Sequence, residues 1–515
     1  MKLFLVFIFL LSAFLLSSVL QGLQSAPVEA KANTRQRRGA VGLDSAGLDI
    51  TAFGARGDGK TDDTHAIQAA INAAKASHEA VFFPLGTYLV KAPLNLTGMS
   101  AVKIVGAQSS GSVAQVAGVA TTIVYGGPAL PKGCPFDFSD STWIWISDIS
   151  FTSSVPVACI VLLGSSRSES EDIHFENVSI GEGSIASVAD AGAEVVEFSD
   201  SSLAYGRGIG LLLSSNGLSG YGISSPFGLK FGARSMTQVT FRGGKIVSGS
   251  GHAVELDGTG NASTIPVADV SFFGTYIAGS GSGGSAFYLK GVIWALTDIA
   301  QRFEIDSQTG PAYFIHAAQG ARVVSLNVTG LNISPSAPKP YYALYSSNGP
   351  SNPVITGGVI SGVSVPVNWA GNIINLDLKD NNKLDIRIAG NAVFCRFRAT
   401  AGINSFYVSG RLQADIQGWK NVVKFVPLYS NGSADFIVRQ SGHYIATYAS
   451  DLCAFDADVG PSAISIGNVN YMSGQLQFSN NGLGVIGCPH PGVKSSVVVT
   501  ARYSNTGDFF IVRIM

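Results

Sequence analysis

The pattern of apolar and polar residues predicts one strongly amphipathic helix, near residue 70. Its apolar positions recur at i, i+3, i+4 and i+7, which places them on one side of a helix. They are Ile67, Ala70, Ile71 and Ala74. A Gly- and Asp-rich turn precedes them, and any of residues 61–63 (Thr-Asp-Asp) can accept the free amide hydrogens of a helix start. Residues 80–90 then predict a strand, a Pro-containing turn ending in Gly, and a second strand.

Short β segments recur through the middle of the chain with the order apolar, polar, apolar. They are Ile149–Phe151, Ile173–Phe175, Val239–Phe241, Val270–Phe272, Val324–Leu326, Val354–Thr356 and Ile374–Leu376. The steps from Ile173 to Val239 and from Val270 to Val324 are long, and they divide into three and two shorter units, respectively. Each unit, like the other steps, then has roughly 20–30 residues, a period that indicates a solenoid of stacked coils. An irregular β-sandwich is the alternative.

The start of this region resembles a known superfamily. The residues FGARGDGKTDDTHAIQAAINAA, followed by VFFPLGTYLV, cover residues 53–90. They resemble the N-terminal segment of the pectate-lyase-like right-handed β-helix superfamily, which includes rhamnogalacturonase/epimerase-like, polygalacturonase-like and tailspike-like proteins. The resemblance implies an all-β fold: a single-stranded right-handed parallel β-helix whose N-terminal end is covered by the predicted helix. A stacked coil needs such a cover because it otherwise exposes unpaired strand edges.

The order of segments predicts four parts. Residues 1–30 have the order typical of a secretory signal peptide: a positive charge, an apolar run and then a stretch of small residues. An uncleaved membrane anchor is the alternative. Residues 31–38 form a propeptide that ends in an R-x-R-R site for furin-like convertases, made by Arg35, Arg37 and Arg38. Residues 39–380 form the β-helix. Residues 381–515 read as alternating strands and predict an antiparallel, sandwich- or jelly-roll-like C-terminal domain.

Composition supports a secreted globular protein. Only 13% of the residues are charged and the net charge is −1, which disfavours disorder and nucleic-acid binding. After processing, no other apolar run approaches a membrane span.

Five cysteines allow at most two bridges, with Cys134–Cys159 and a pair among the other three as candidates. Six N-x-S/T sequons predict glycosylation at Asn95, Asn177, Asn261, Asn327, Asn332 and Asn431.

Paired carboxylates on a strand are the candidate catalytic groups, because outward acidic side chains can serve as acid and base across a glycosidic bond. The first cluster is Glu255 and Asp257, with His252 in the preceding corner. The second is Glu304 and Asp306, with Arg302 as an adjacent cation. A solvated strand face is the alternative interpretation of both clusters.

Two tryptophans are candidate substrate-binding residues. Trp143 and Trp145 are predicted to lie on one strand face, where exposed indoles would stack on sugar rings and buried ones would be core. The catalytic series of polygalacturonase-like proteins is not reproduced, because Ala253 replaces the second Gly of their G-H-G element.

The resemblance implies carbohydrate-active chemistry on an extracellular polysaccharide or glycoconjugate. Hydrolysis by two carboxylates is the first mechanism, and β-elimination from a uronic acid, which could involve Ca²⁺, is the second. No other cofactor and no metal site is expected. The rival class is a non-catalytic glycan-binding adhesin, tailspike-like and able to form a homotrimer, or an extracellular structural protein.

Overall fold

A computed structural model gives the fold of the chain. It describes residues 47–401, apart from 111–119, 167–169, 204–207, 249–250, 261–265, 280–283, 300–301, 304–310, 334–340, 347–348, 350, 364 and 383. Beyond residue 401 it describes the strands given below. The fold is an all-β, right-handed parallel β-helix with an N-terminal cap helix, as predicted. The predicted signal peptide and the convertase-like site lie outside the described residues.

The cap helix spans Thr64–Ser77 and follows a short 3-10 turn at Ile50–Phe53. Its predicted apolar stripe is fully buried. The carboxylate of Asp62 accepts hydrogen bonds from Thr64, whereas that of Asp63 turns back to bind the amides of Arg56 and Gly57. On the covered end of the β-helix, Gln68 and Lys75 donate hydrogen bonds to the carbonyl of Asn95. The helix therefore satisfies an edge carbonyl as well as covering apolar rungs.

Three columns of parallel strands form the coils. The first sheet contains Leu48–Asp49, Val81–Phe83, Lys103–Gly106, Thr142–Ser147, Ser170–Glu176, Ala193–Ser199, Val239–Arg242, Val270–Phe273, the second half of Ser285–Ile299, Arg322–Ile333, Val354–Val363, Asn372–Asp380, Ala392–Ala399, Leu412–Gln417 and Ser433–Val438. The second contains Asp58–Asp62, Gly86–Val90, Thr121–Tyr125, Ser150–Ser153, Ser179–Ile180, Ser202–Leu203, Lys245–Ser248, Tyr276–Gly279 and Arg302–Phe303. The third contains Leu94–Asn95, Phe136–Asp137, Val161–Gly164, Ala186–Ala191, Ile209–Ser214, Val254–Gly258, the first half of Ser285–Ile299, Ala312–Ala317, Tyr341–Ser346, Val367–Trp369, Leu384–Ile388 and Ile403–Val408.

Stacked left-handed residues make the corner between the first and second sheets. Positive φ angles recur in register on five successive coils, at Asp148, Asn177, Asp200, Gly243 and Gly274. Asp, Asn and Gly tolerate this conformation best, so the corner selects them. Within it, Asn177 Nδ2 donates a hydrogen bond of 2.7 Å to Asp148 Oδ1. At this level the corner is thus held by a side-chain contact between two coils.

A row of stacked phenylalanines shows how the coils pack internally. The ring centroids of Phe175 and Phe198 are 4.7 Å apart, those of Phe198 and Phe241 are 4.3 Å apart, and those of Phe241 and Phe272 are 5.5 Å apart. All four rings are buried. Because Phe198 and Phe241 are register partners on adjacent coils, the first long step of the repeat spans two coils. The prediction of three was wrong because one coil carries a long excursion between Ser214 and Val239.

Parallel pairing continues beyond the predicted domain boundary at residue 380. Leu384–Ile388 pairs in parallel with Val367–Trp369, and Ala392–Ala399 pairs in parallel with Asn372–Asp380. The prediction of antiparallel strands from Leu384 onward is therefore wrong for these rungs. Alternation with a period of two does not distinguish the two pairings. The coils are also shorter here than in the middle of the chain, which hid the repeat.

Antiparallel strands follow the last coils. Ser433–Val438 pairs with Val497–Arg502, and a five-stranded antiparallel sheet follows the order Val423–Phe425, Phe509–Arg513, Gly442–Tyr448, Asp451–Val459 and Ile464–Ser473. The predicted C-terminal antiparallel region is therefore present, but it begins after residue 417.

The described cysteines include one bridge and one thiol. Cys134 and Cys159 form the disulfide that was one of the two candidates. Cys395 is a buried free thiol, so it does not belong to a second bridge. Among the described residues, no helix is both long and apolar enough to cross a membrane.

Candidate functional site

The first predicted cluster lies on the outer face of the third sheet. In Val254–Gly258, Leu256 points into the core and is completely buried, so Glu255 and Asp257 point the other way, as predicted. Both carboxylates are nevertheless only 4% and 6% exposed. Something therefore covers this part of the sheet.

The cover is Tyr221, at the end of a 3-10 turn that spans Ser219–Tyr221. Its hydroxyl oxygen lies 2.6 Å from Glu255 Oε1 and 2.7 Å from Asp257 Oδ2. Burial, and next the charge of Glu255, raise the pKa of Tyr221, so its hydroxyl keeps its proton at neutral pH. The tyrosine comes from the excursion after Ser214 that lengthens one coil.

Lys290 completes the network from the next coil. In the parallel register Asp257 lies beside Lys290 and Glu255 lies beside Tyr288. Lys290 Nζ forms an ion pair with Glu255 Oε1 and donates a hydrogen bond of 3.2 Å to the Tyr221 hydroxyl. Its ammonium also lies 5.0 Å from the centre of the Tyr221 ring. Glu255 thus has a cation partner.

Asp257 is held differently. Its Oδ1 accepts hydrogen bonds from the amide of Thr259, at 3.0 Å, and from the Thr259 hydroxyl. Its Oδ2 faces Tyr221. The two carboxylates therefore share one tyrosine but have different further partners, which is the asymmetry that an acid and a nucleophile require.

His252 lies beside the network as a neutral imidazole. Its ring stacks on Tyr288 with centroids 4.2 Å apart, and Nδ1 lies 2.8 Å from the hydroxyl of Ser285. Burial, and then the charge of Lys290, lower the pKa of His252 to about 4. It can therefore accept a proton or a hydrogen bond at neutral pH.

Aromatic side chains continue the outer face over the following coils. Tyr288, His316 and Tyr345 occupy the same register position as Glu255 on three successive coils. Beside them, the ring centroids of Tyr313 and Tyr345 are 4.1 Å apart. Burial lowers the pKa of His316 to about 4 as well. The outer face of the third sheet therefore continues beyond Glu255 as a cluster of contacting aromatic rings.

The second predicted cluster cannot be placed in the same way. Glu304 and Asp306 lie outside the described residues. Arg302 belongs to the strand Arg302–Phe303 of the second sheet, beside Asn332 of the next coil. These assignments stay predictions.

The two predicted sugar-stacking residues lie on the first sheet, so they are not part of the Glu255 network. Trp143 is 62% exposed and Trp145 is 39% exposed. Trp145 is stacked on His174, with centroids 4.9 Å apart. Trp143 adopts a left-handed backbone conformation, yet both indoles are exposed on either side of the buried Ile144, as expected for one strand face. Their role in binding stays a prediction.

The sequons differ in their surroundings. The amide nitrogens of Asn177 and Asn327 donate to Asp148 and Ser325, respectively. Asn95 Oδ1 accepts a hydrogen bond from the Thr97 hydroxyl of its own sequon, and Asn332 is exposed. Asn261 and Asn431 lie outside the described residues. Glycosylation stays a prediction.

Sequence reasoning missed Tyr221 and Lys290. Lys290 is the register partner of Asp257 on the next coil, so the alignment of neighbouring rungs was a usable signal. Tyr221 had no such signal, because it lies in the excursion rather than in a rung.

Comparison with known proteins confirms the superfamily resemblance. Residues 48–197 match the family described as Rhamnogalacturonase A/epimerase, pectate lyase-like. The match begins at the first described strand and extends the resemblance well beyond residues 53–90.

Individual relatives are similar over short stretches or at low identity. A protein named Alginate lyase 7, from Azotobacter vinelandii, is 62% identical over 42 residues, which are 8% of this chain and 5% of that protein. The surface adhesin PfbA of Streptococcus pneumoniae is 14% identical, with a TM-score of 0.47 over 82% of this chain and 98% of that one. Tailspike protein 2 of bacteriophage CBA120 is 11% identical, with a TM-score of 0.44 over 91% and 79%.

Proposed function

We propose that the protein cleaves glycosidic bonds of an extracellular polysaccharide at the network of Glu255, Asp257, Tyr221 and Lys290. The observation that carries the proposal is the pair of carboxylates brought to a single hydroxyl group on the outer face of the third sheet. The family description of residues 48–197 names enzymes of pectic polysaccharides, which supports the substrate class.

Hydrogen-bond counting supports different roles for the two carboxyl groups. A tyrosine hydroxyl has one proton to donate, yet two carboxyl oxygens lie within 2.7 Å of it. The arrangement is fully satisfied when one carboxyl group carries a proton and donates it to the tyrosine oxygen. Lys290 pairs with Glu255, which favours Glu255 as the nucleophile and Asp257 as the general acid.

The spacing favours a double-displacement reaction. Because the two oxygens lie 2.6 and 2.7 Å from one hydroxyl oxygen, they are no more than about 5.3 Å apart, which is compatible with the spacing of retaining glycosidases and below that of inverting ones. In the first step Glu255 attacks the anomeric carbon while Asp257 protonates the leaving oxygen. In the second, Asp257 removes a proton from water, which hydrolyses the glycosyl ester of Glu255. This differs from direct activation of water by the second carboxylate, which was the sequence-based prediction.

Access to the carboxyl groups requires Tyr221 to be displaced. Its hydroxyl stands between them, where a reacting sugar would have to be placed. Gly217 and Gly222, which flank the 3-10 turn, both have positive φ angles, and a side chain at Gly222 would meet open space. We propose that the turn moves outward at these glycines when the sugar binds.

A test compares product chemistry on neutral, amino-sugar, alginate and pectic polysaccharides. New reducing ends without an unsaturated product would support hydrolysis. Glu255→Gln and Asp257→Asn should each abolish turnover, whereas Glu79→Gln, an exposed carboxylate after the cap helix, should not. Binding without cleavage of any polymer would instead favour a glycan-binding adhesin.

β-Elimination is a second candidate, favoured by the arrangement of Lys290, His252 and Tyr288. Lys290 could neutralise the carboxylate of a uronic acid, neutral His252 could remove the proton beside that carboxylate, and the Tyr288 hydroxyl could protonate the leaving oxygen. Burial raises the pKa of Tyr288, which keeps the required proton. The ultraviolet absorbance of an unsaturated uronate would identify this reaction.

We also propose that the protein is secreted. The buried Cys134–Cys159 disulfide supports this, since such bridges persist mainly in oxidising compartments. Expression in cultured eukaryotic cells tests it: the protein should accumulate in the medium with an N-terminus after Arg38, and retention inside the cells would contradict the proposal.

A further inference from the structure

Two neighbouring columns of outward residues run along the first sheet, away from the Glu255 network. One column contains left-handed residues on successive coils, and the parallel register aligns them. They are Trp143, Asp172, Val195, Gln238 and Asp269. The other column contains Trp145, His174, Glu197, Thr240 and Ser271. We call this face the Trp143 face.

A groove of about 370 Å³ lies between the two columns. It is lined on one side by Val195, Gln238 and Asp269, and on the other by Glu197, Thr240 and Ser271, with Val196 between them. The lining thus offers carboxylate, amide and hydroxyl groups on three consecutive coils. Coils repeat at about 4.8 Å, close to the rise of one sugar unit in an extended polysaccharide.

The polar side chains at the head of the groove are fixed by contacts between coils. The Trp145 ring stacks on His174, whose Nδ1 lies 3.5 Å from Glu197 Oε2. Arg242 donates a hydrogen bond of 2.9 Å to Glu197 Oε1 and lies 5.0 Å above the ring of Phe273. These contacts order the groove before any ligand arrives, which lowers the entropic cost of binding.

Trp143 supplies an open aromatic surface two coils before the groove, in the same column as Val195. It is 62% exposed, and among the described residues no aromatic ring stacks on it. An indole offers a flat apolar face with a polar edge, which suits the apolar face of a sugar ring. A protein partner fits the groove less well, since most of its lining is polar.

We infer that the Trp143 face is a second carbohydrate-binding site, which takes a linear polysaccharide of neutral or amino sugars. The groove lining contains two carboxylates, Glu197 and Asp269, and Arg242 pairs only with the first, so the remaining negative charge should disfavour polyuronates. The site lies on a different sheet from Glu255, so a segment bound here is not the segment cleaved there. Its existence does not depend on the proposed reaction. Occupation of both sites by one polymer would lengthen residence on it.

The test is affinity electrophoresis of the full chain in gels containing chitosan, a neutral β-glucan or polygalacturonate. Native protein should be retarded by chitosan or β-glucan more than by polygalacturonate. Trp143→Ala should weaken that retardation at least about tenfold. Phe394→Ala, which removes an equally exposed aromatic side chain four coils or more away, should leave it unchanged.

A second variant distinguishes a loss of binding from misfolding of Trp143→Ala. Ser271→Arg places a long side chain in the groove from a partly exposed strand position, and it should also abolish retardation. Retardation by neutral or amino-sugar polymers that neither Trp143→Ala nor Ser271→Arg alters would overturn the inference. So would stronger retardation of native protein by polygalacturonate, or the absence of retardation by all three polymers.

Discussion

The hydroxyl oxygen of Tyr221 lies 2.6 Å from Glu255 Oε1, although the two residues are 34 positions apart. The contact exists because one coil of the β-helix leaves the third sheet after Ser214 and folds back over the next rung. It converts an ordinary outward carboxylate into a buried one. The pair thereby connects a local excursion of the chain to the chemistry of the rung beneath it.

Tyr221→Phe should lower stability. Loss of the hydroxyl leaves two buried carboxyl groups without their common partner, which costs about 1–3 kcal/mol in free energy of unfolding. Denaturant titration measures the effect. A variant as stable as native protein would contradict the shared role of the hydroxyl.

Lys290→Met should be more damaging than Lys290→Arg. Removal of the ammonium leaves Glu255 buried without a cation, which costs about 3 kcal/mol in stability. Loss of one electrostatic partner from a reaction centre should also reduce turnover about a hundredfold. Lys379→Met, which changes an exposed lysine on a later coil, is the matched control. Equal turnover of Lys290→Met and native protein would exclude Lys290 from the reaction centre.

Asp298→Asn should stabilise the protein at alkaline pH. Asp298 occupies an inward position between Phe272 and Val328, and neither carboxyl oxygen has a hydrogen-bond partner among the described residues. Burial raises its pKa to about 8. Between about pH 4 and pH 8 the folded chain therefore keeps a proton that the unfolded chain releases, so stability falls as pH rises through this window.

Thermal unfolding at pH 5 and pH 8 measures this effect. Asp298→Asn should raise the melting temperature more at pH 8 than at pH 5. Part of the dependence should remain, because burial also raises the pKa of Asp190 to about 7. Glu79→Gln should show the native dependence. An Asp298→Asn protein with an unchanged difference between the two pH values would refute the assignment.

Removal of the Cys134–Cys159 disulfide should destabilise the fold. The bridge closes a loop of 25 residues, and its loss is expected to cost about 3 kcal/mol. Unfolding of the Cys134→Ser/Cys159→Ser protein measures the cost. In native protein, a peptide map without reduction should contain the 134–159 pair and leave Cys395 available to alkylation after unfolding. A Cys395-containing bridge in that map would contradict the structure.

Much of the fold was predictable because its signals are local. The cap helix is read from an apolar stripe that spans two helical turns, and the structure buries that whole stripe. The outward direction of Glu255 and Asp257 follows from alternation around Leu256 alone. The corner between the first and second sheets follows a similar local rule, because Asp, Asn and Gly tolerate its left-handed backbone best.

The errors arose where coil length changes. The excursion that carries Tyr221 lengthens the coil between Phe198 and Phe241, so three regular coils were predicted where two exist. After Val354 the coil shortens, since Val354 already pairs with Asn372, and parallel rungs looked like a separate antiparallel domain. A period search finds regular coils, whereas pairing direction depends on contacts between distant segments.

The sequence by itself determined the β-helix, its cap and a pair of carboxylates on one strand face, because periodicity and capping act over a few neighbouring residues. Only the tertiary structure decided that Tyr221 and Lys290 join those carboxylates, and that Trp143 stands on a different sheet. Residues a whole coil apart in sequence meet through the stacking of coils, and the register of that stacking is fixed by core packing along the whole β-helix.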